Sequence, residues 1–578
     1  MIMPDLGPVA ADGTAAYACR MPNEKDTEIH AEGEIRTVSL VSLGCPKNTV
    51  DSEKMLGLLA ESGVTPVSAS PAPAGDLSEA GSEQDASAAP GRVTPADAVV
   101  INTCGFLEAS KEESLAVVRE AVEAKARGEV RRVVVAGCLV QRHRAKILDW
   151  VPGIDAMVGV FDREKIIEAV RGAPVERETI DDPAGPKYWI HANATTKARD
   201  LAAEQPYNAG SQPVGLSVEG AGGVGYFEDD AARLRLTPRH YAYLRIGEGC
   251  NQNCAFCTIP SIRGKMRSKP LDRVAAEARE LVRDGAFELM LIGQDTTSYG
   301  DDIGAGLRDG SGLPALLRTV CDAVTEEAGA GWVRLMYAYP TNFTDEIIDA
   351  FADLVQRGRL LPYLDIPLQH ASDRVLEAMR RNVTGEHQAL LCRKLRDRIP
   401  GMAIRTTFIT GFPGETEDDH ARLLEFIEDI GFDAVGCFRY SREPGTRAGT
   451  MDEDPALHVP DEIKARRFGE IMALQQRIAF EQADYLAEQF DPENPDETGC
   501  RFDILIDEHA GETDGGERLY RGRAYFQAPQ IDAVTYVQSA RDLSPGELVR
   551  CTVVAADGYD LIARPSEQLE RKVSLPIA

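Results

Sequence analysis

Cys250, Cys254 and Cys257 stand close together in the segment Gly249-Cys250-Asn251-Gln252-Asn253-Cys254-Ala255-Phe256-Cys257. Thiolates are the usual ligands of iron–sulfur clusters. Three of them on one loop can each take one iron of a cubane and leave the last iron open. An open coordination position is what a chemically active metal site requires. A structural zinc ion would want a fourth Cys or His at close spacing, and none follows in this loop; zinc is the competing reading. Cys45, Cys104 and Cys138 lie far apart in sequence, yet each comes just after an apolar stretch that reads as a strand: Ile35–Leu43, Ala98–Asn102 and Arg132–Ala136. Parallel strands would gather all three at one sheet edge, where ligands bind in open α/β sheets. Gly44, Gly105 and Gly137 sit beside them, as expected where backbone must approach a bulky group. The three read as a second cluster site with an open iron, against the alternative of three structural cysteines. Cys19, Cys321, Cys392, Cys437, Cys500 and Cys551 are scattered and read as small buried hydrophobes or tail residues.

The elements that must position these thiols follow from periodicity. Residues 1–34 read as a disordered leader. After the first strand come a polar turn, a helix from about Asp51 to Ser62, and a stretch, Pro71–Arg92, too poor in large apolar residues to pack, which reads as an inserted loop. Strands Ala98–Asn102, Arg132–Ala136 and Ala156–Val160, with a helix over Lys111–Arg127, complete an alternating pattern that implies a parallel sheet covered on both faces. Residues 171–238 read as linker and insertion, with Leu201–Asp230 polar and Gly-rich. Six further strands are expected at Tyr243–Gly247, Glu288–Gly293, Val333–Ala338, Tyr363–Leu368, Ile404–Thr410 and Ala434–Tyr440. Helices such as Arg273–Arg283 and Glu417–Ile430 lie between them. This is the pattern of a partial (β/α) TIM barrel, with chemistry at the carboxyl ends of its strands. Asp461–Gln489 is one long helix, and Arg501–Pro565 breaks into short strands suited to a small all-β barrel. The fold class is α/β, divided at residues 35–170, 239–490 and 491–578.

The formal net charge is −30, from 93 acids and 63 bases. A general nucleic-acid binder leans the other way. An acidic surface either keeps a large enzyme soluble or suits a high-salt cytoplasm, or it attracts a basic partner. No apolar run reaches the length of a membrane span, nothing near the start resembles a secretion signal, and so many cysteines without a secretory context do not suggest disulfides. A cytoplasmic protein without a membrane partner is expected.

The C-x3-C-x2-C spacing, Phe256 before its last cysteine and its place after the first barrel strand resemble the radical S-adenosylmethionine superfamily. The resemblance implies that the open iron chelates S-adenosylmethionine, and that an electron from the cluster cleaves the sulfonium to a 5′-deoxyadenosyl radical. Gly293-Gln294-Asp295 and Gly411-Phe412-Pro413-Gly414-Glu415 end later strands, where that cofactor would sit, so Phe256, Gln294, Asp295 and Gly411 are candidate cofactor contacts. Two three-cysteine sites followed by a β module are similar to the methylthiotransferase family over about residues 35–565, the module itself resembling a TRAM domain. That resemblance implies two 4Fe-4S clusters, two S-adenosylmethionine molecules per turnover, and a sulfur held on the second cluster. It also implies an electron donor such as flavodoxin or ferredoxin.

One branch of the family modifies a tRNA adenosine beside the anticodon; another modifies the β-carbon of an aspartate in small-subunit ribosomal protein twelve. Ser42-Leu43-Gly44-Cys45-Pro46-Lys47-Asn48, Gln294-Asp295-Thr296-Thr297-Ser298-Tyr299-Gly300, Met336-Tyr337-Ala338-Tyr339-Pro340 and Asp365-Ile366-Pro367-Leu368-Gln369-His370 are similar to the ribosomal-protein branch. Between Cys500 and Pro565 there are eleven acids and seven bases, a balance of −4 that suits a basic protein better than tRNA phosphates. Arg518, Arg521 and Arg523 are expected exposed and could touch RNA. His370 reads as a core or cap residue rather than a catalyst. A non-catalytic iron–sulfur or zinc RNA-binding protein stays as the alternative of a different class, and it leaves the missing fourth ligands unexplained. Replacing Cys250 with Ala is expected to abolish deoxyadenosine release from S-adenosylmethionine. Replacing Cys45, Cys104 or Cys138 should leave that release intact and stop sulfur insertion, both read by chromatography of the products.

Overall fold

The computed structural model describes residues 34–71, 93–172, 187–204, 227–304, 312–513 and 515–569. The expected leader and inserted loop fall outside these residues, except Glu34 and Pro71, as does most of Leu201–Asp230.

The first sheet contains β1 (Thr37–Ser42), β2 (Thr65–Pro71), β3 (Ala96–Thr103), β4 (Val130–Gly137), β5 (Ala156–Val158) and β6 (Lys187–Trp189), all parallel, in the order β2-β1-β3-β4-β5-β6. Alternate residues serve opposite faces. Val38, Leu40, Val100 and Val134 pack toward the helices Pro46–Glu61 and Ile166–Arg171, while Val41, Ile101, Val133 and Val135 pack toward Glu108–Ala126. The strand order reverses between β1 and β3, which opens a crevice at their carboxyl ends. Cys45, Cys104 and Cys138 follow β1, β3 and β4, three adjacent strands, and so meet at that crevice.

Three local expectations need correction. The helix expected from about Asp51 begins at Pro46, because proline is pre-organised for the first helical position and lacks only an amide that no helix bond would use. β2 is missing from the expected strands because Thr65-Pro66-Val67-Ser68-Ala69-Ser70-Pro71 lacks a strand pattern, and only its last residue, Pro71, falls in the expected inserted loop. It is an edge strand, where proline and polar residues are tolerated. Residues 171–238, expected to be linker, contribute β6 and the helix Ala194–Glu204; β6 is three residues long, too short to carry a period.

The second sheet runs β7 (Tyr241–Arg245), then β10 (Glu288–Ile292), β11 (Trp332–Leu335), β12 (Tyr363–Asp365), β13 (Ala403–Thr410) and β14 (Ala434–Arg439), all parallel and unclosed. A short antiparallel ribbon of β8 (Gly247–Glu248) and β9 (Arg267–Ser268) closes the base of the Cys250–Cys257 loop. The helix Asp461–Glu488 leads to a closed barrel of β15 (Arg501–Glu512), β16 (Arg518–Arg523), β17 (Thr535–Ser539), β18 (Leu548–Asp557) and β19 (Asp560–Pro565).

The small barrel inserts residues 524–532 against the open sheet's inner face, where Tyr241, Tyr243, Met290, Tyr363 and Ala528 share one cluster. Charges are buried there in mutual contact. Glu288 accepts from Arg334 at 2.7 Å and from Arg523 at 2.6 Å, and Arg523 continues to Asp507 at 2.8 Å. Asp532 accepts from the Tyr363 hydroxyl at 2.8 Å and from Arg405 at 3.2 Å. Arg523, expected on the surface, is thus interior; its partner Asp507 lies in the same module, and docking of the module onto the sheet adds Glu288. Breaking a buried pair from one side costs about 3–5 kcal/mol. Glu288→Ala, which leaves Arg334 without its ion pair and Arg523 with Asp507 alone, is expected to lose that much, read as a lower denaturant midpoint, with Glu288→Gln falling in between.

Candidate active site

The first triplet sits on the loop between β8 and β9, at the carboxyl end of the open sheet. The Cys250 sulfur accepts from the Gln252 amide and the Cys257 sulfur from the Ile259 amide, each at 3.4 Å. Gln252 donates from its side chain to Asp295 at 2.8 Å, which ties the loop to the end of β10. Arg381 reaches Cys254 Sγ at 3.6 Å and stacks on Tyr339, its carbon 4.1 Å from the ring centre. Gln294 donates to the buried Glu248. Phe256 packs with Val375, Met379, Phe412 and Tyr440. Gly411 has positive φ (73°), and a Cβ there would lie 2.3 Å from Lys464 Cγ, so packing against the long helix by itself demands glycine. His370 is fully buried, with Nδ1 accepting from the Ser372 amide at 3.0 Å, a capping role as expected.

The second triplet gathers where β1, β3 and β4 end. Cys45 caps the helix Pro46–Glu61 and Cys138 opens the helix Cys138–His143. Helix N-termini favour thiolate. Ser114 holds Cys104 from both sides, donating to its carbonyl at 2.8 Å and accepting from its amide at 3.1 Å. Gly44 has φ 91°, and a Cβ would come 2.8 Å from that of Cys104, so only glycine lets the two loops close together.

The sulfurs within each triplet lie near enough to act on one another electrostatically. Burial pushes the thiols of Cys138, Cys250 and Cys257 up to about 12, against the pull of Arg263 at Cys138. Burial and the neighbouring Cys45 also raise Cys104. Loading iron must therefore displace bound protons. Among the described residues no group of three Cys, His, Asp or Glu side chains converges tightly enough for one metal ion.

A seam of buried polar groups joins the surroundings of the two triplets. Lys47 donates to the Gly293 carbonyl at 2.7 Å. Arg263, six residues past Cys257, reaches into the N-terminal sheet and meets Cys138 Sγ at 3.3 Å, Asn48 Oδ1 at 2.5 Å and Asp51 at 3.1 Å. Its other side meets Glu248 at 2.7 Å. Asn48 donates to the carbonyls of Leu43 at 2.9 Å and Thr103 at 3.0 Å, joining the ends of β1 and β3. Arg245 pairs with Asp51, Asp230 and Glu248. Burial pushes the Glu248 carboxyl up, but Arg263, Arg245 and Lys47 outweigh it and hold it well below the usual range.

Residues 244–427 match the radical SAM superfamily, 498–565 the TRAM domain, and 74–159 a family described only as the uncharacterized protein family UPF0004. The chain is 35% identical to the ribosomal protein uS12 methylthiotransferase RimO of Desulforamulus reducens, over 91% of this chain and 98% of that one. It is 37% identical to RimO of Anaeromyxobacter sp. strain K, over 91% and 92% respectively. The chain belongs to the RimO family. Like its relatives it is a radical SAM enzyme that transfers a sulfur-containing group, with S-adenosylmethionine and an iron–sulfur cluster as cofactors. Among solved structures, the radical S-adenosylmethionine methyltransferase TsrM from Kitasatospora setae aligns with TM-score 0.47 and 16% identity, covering 72% of this chain and 77% of that one.

Within this RimO-family chain, sequence reasoning missed Lys47, Asn48, Asp51, Arg245, Glu248 and Arg263. A weak signal existed: Arg245 and Glu248 interrupt an apolar strand end, and Lys47, Asn48 and Asp51 crowd the first turns of the helix Pro46–Glu61, directly after Cys45. Arg263→Lys keeps the charge and loses the forked donor geometry. It is expected to retain iron content while altering the electron paramagnetic resonance signal of the Cys45, Cys104 and Cys138 site; an unchanged spectrum would show that the contact with Cys138 is incidental.

Proposed function

We propose that this chain methylthiolates the β-carbon of an aspartate in small-subunit ribosomal protein uS12. In this reading Cys250, Cys254 and Cys257 hold one 4Fe-4S cluster and Cys45, Cys104 and Cys138 a second. The observation that carries it is the seam: two three-thiol sites at the carboxyl ends of two parallel sheets, linked by Lys47 and Arg263. Bound there, the clusters supply the electron that cleaves S-adenosylmethionine and an iron site for the sulfur to be inserted. The chain's own residues enclose and orient. Gln252 and Asp295 fix the first loop, Gln294 and Phe256 lie beside it, and Asn48 and Gly44 bring the second site together. Such enclosure keeps a reactive radical from solvent and holds the substrate carbon close.

The substrate assignment is supported by relatives named for uS12 over nearly their full length and by the acidic balance of the terminal module, which attracts a basic protein. No helix among the described residues is long and apolar enough to cross a membrane. A ribosomal substrate puts the reaction in the cytoplasm, and the division at residues 35–170, 239–490 and 491–578 gives each site its own domain. Mass spectrometry of uS12 and tRNA from a deletion strain tests the reading. Loss of a methylthio group from the uS12 aspartate, regained on complementation, is expected. Loss from tRNA with uS12 unchanged would assign the chain to the other branch.

A further inference from the structure

Lys47 is a buried cation without a counter-ion. It belongs to the first turn of the helix Pro46–Glu61 and is 6% exposed. Its Nζ donates to the Gly293 carbonyl at 2.7 Å and lies 4.3 Å from the centre of the Tyr337 ring. Those contacts orient the ammonium without neutralising it, and it forms no ion pair among the described residues. The other cations of the seam do meet carboxylates: Arg163 and Arg245 pair with Asp51, Arg263 with Glu248 and Lys269 with Asp230. Glu248 acts on Lys47 through its charge, but Arg245 and Arg263 already share it at 2.7 Å each. An ammonium taken out of water alone is expensive, so its place calls for an anion. Tyr337, under that ammonium, has a φ of 59°, a left-handed backbone that is strained for a bulky side chain. Its amide donates to Asp365 at 3.2 Å and its carbonyl accepts from the Thr296 amide at 3.1 Å, so two neighbouring strand ends hold the strain in place. Strain kept up in this way is typical of ligand sites. Cys45, Tyr337 and Gln294 are only partly buried, so the seam is not sealed at this point. Lys47 lies two residues past Cys45, and Gly293 two residues before Asp295, whose charge acts on Cys250.

We propose that the Lys47 ammonium receives the carboxylate of the acidic side chain that the chain modifies. The inference rests on the uS12 aspartate reading above and adds the residue that grips the aspartate. In that side chain the β-carbon is bonded directly to the carboxylate carbon. A cation that fixes the carboxylate therefore fixes the reacting carbon one bond away, and such orientation is a large part of what a binding group contributes to rate. The Tyr337 ring supports the cation electrostatically from its own face. The second thiol site has a cation of its own, since Arg263 meets Cys138 Sγ at 3.3 Å. An asparagine has the same shape but brings no charge, so it leaves the ammonium uncompensated. Lys47 thereby sets a preference for acid over amide.

The test uses the iron-loaded full chain without S-adenosylmethionine, so that binding is read without turnover. Two forms of uS12 serve as probes, one with its target aspartate and one with asparagine in that place. Calorimetry is expected to show the parent chain binding the aspartate form about tenfold more tightly or better, the size of a hydrogen bond to a charged group. Lys47→Met and Lys47→Gln, uncharged and similar in length, are expected to bind the two forms alike. Each ratio is taken within one variant, so a general loosening of the seam cancels and a merely structural role for Lys47 leaves the preference intact. A parent chain without the preference overturns the proposal, and so does either variant that retains it. A parent chain that leaves uS12 unmodified when S-adenosylmethionine and a reductant are supplied refutes the substrate reading instead, and the assignment of Lys47 falls with it.

Discussion

The interaction on which the rest depends is the charge cluster buried between the N-terminal sheet and the open barrel. Desolvation costs several kcal/mol for each ion, so an isolated buried pair gains little. Here each carboxylate meets more than one cation. Asp51 receives Arg163, Arg245 and Arg263; Asp230 receives Arg163, Arg245 and Lys269; Glu248 receives Arg245 and Arg263. Sliding one domain against the other would strand several of these charges at once. The seam therefore has one favourable register, and that register fixes where the two triplets stand relative to each other.

The same groups reach the chemistry. Arg263 belongs to the seam through Asp51 and Glu248 and to the second site through Cys138 and Asn48. Lys47 lies two residues past Cys45 and donates to the end of β10, beside Gln294. Burial holds the thiols of Cys104, Cys138, Cys250 and Cys257 above their usual range, so iron loading and proton release are linked equilibria. Arg263 thus joins the domain contact to the thiol of Cys138.

Charge is also sorted across the surface. The terminal module is acidic, its Arg523 withdrawn into the barrel floor and its Arg521 paired with Glu508. The cleft beside Cys254 and Cys257 is basic, lined by Lys111, Arg142, Lys146, Arg380, Arg442 and Arg447 against Glu108.

The cysteines themselves, their placement after strand ends, the unclosed parallel barrel and the terminal β barrel were legible in the residues. Each depends on local pattern: apolar periods, glycines beside thiols, short spacing on a loop. The start of the helix at Pro46 and the edge strand β2 were not, because proline there carries two opposite local meanings. Beyond them lies what only tertiary structure decided. Asn48 and Arg263 lie 215 residues apart, and Glu288 and Arg523 lie 235 apart. A charge shows in sequence as polar and solvent-seeking, and nothing nearby marks it as interior. Its partner becomes a neighbour only when two domains dock, so the six thiols were visible as two sites while the seam that makes them one was not.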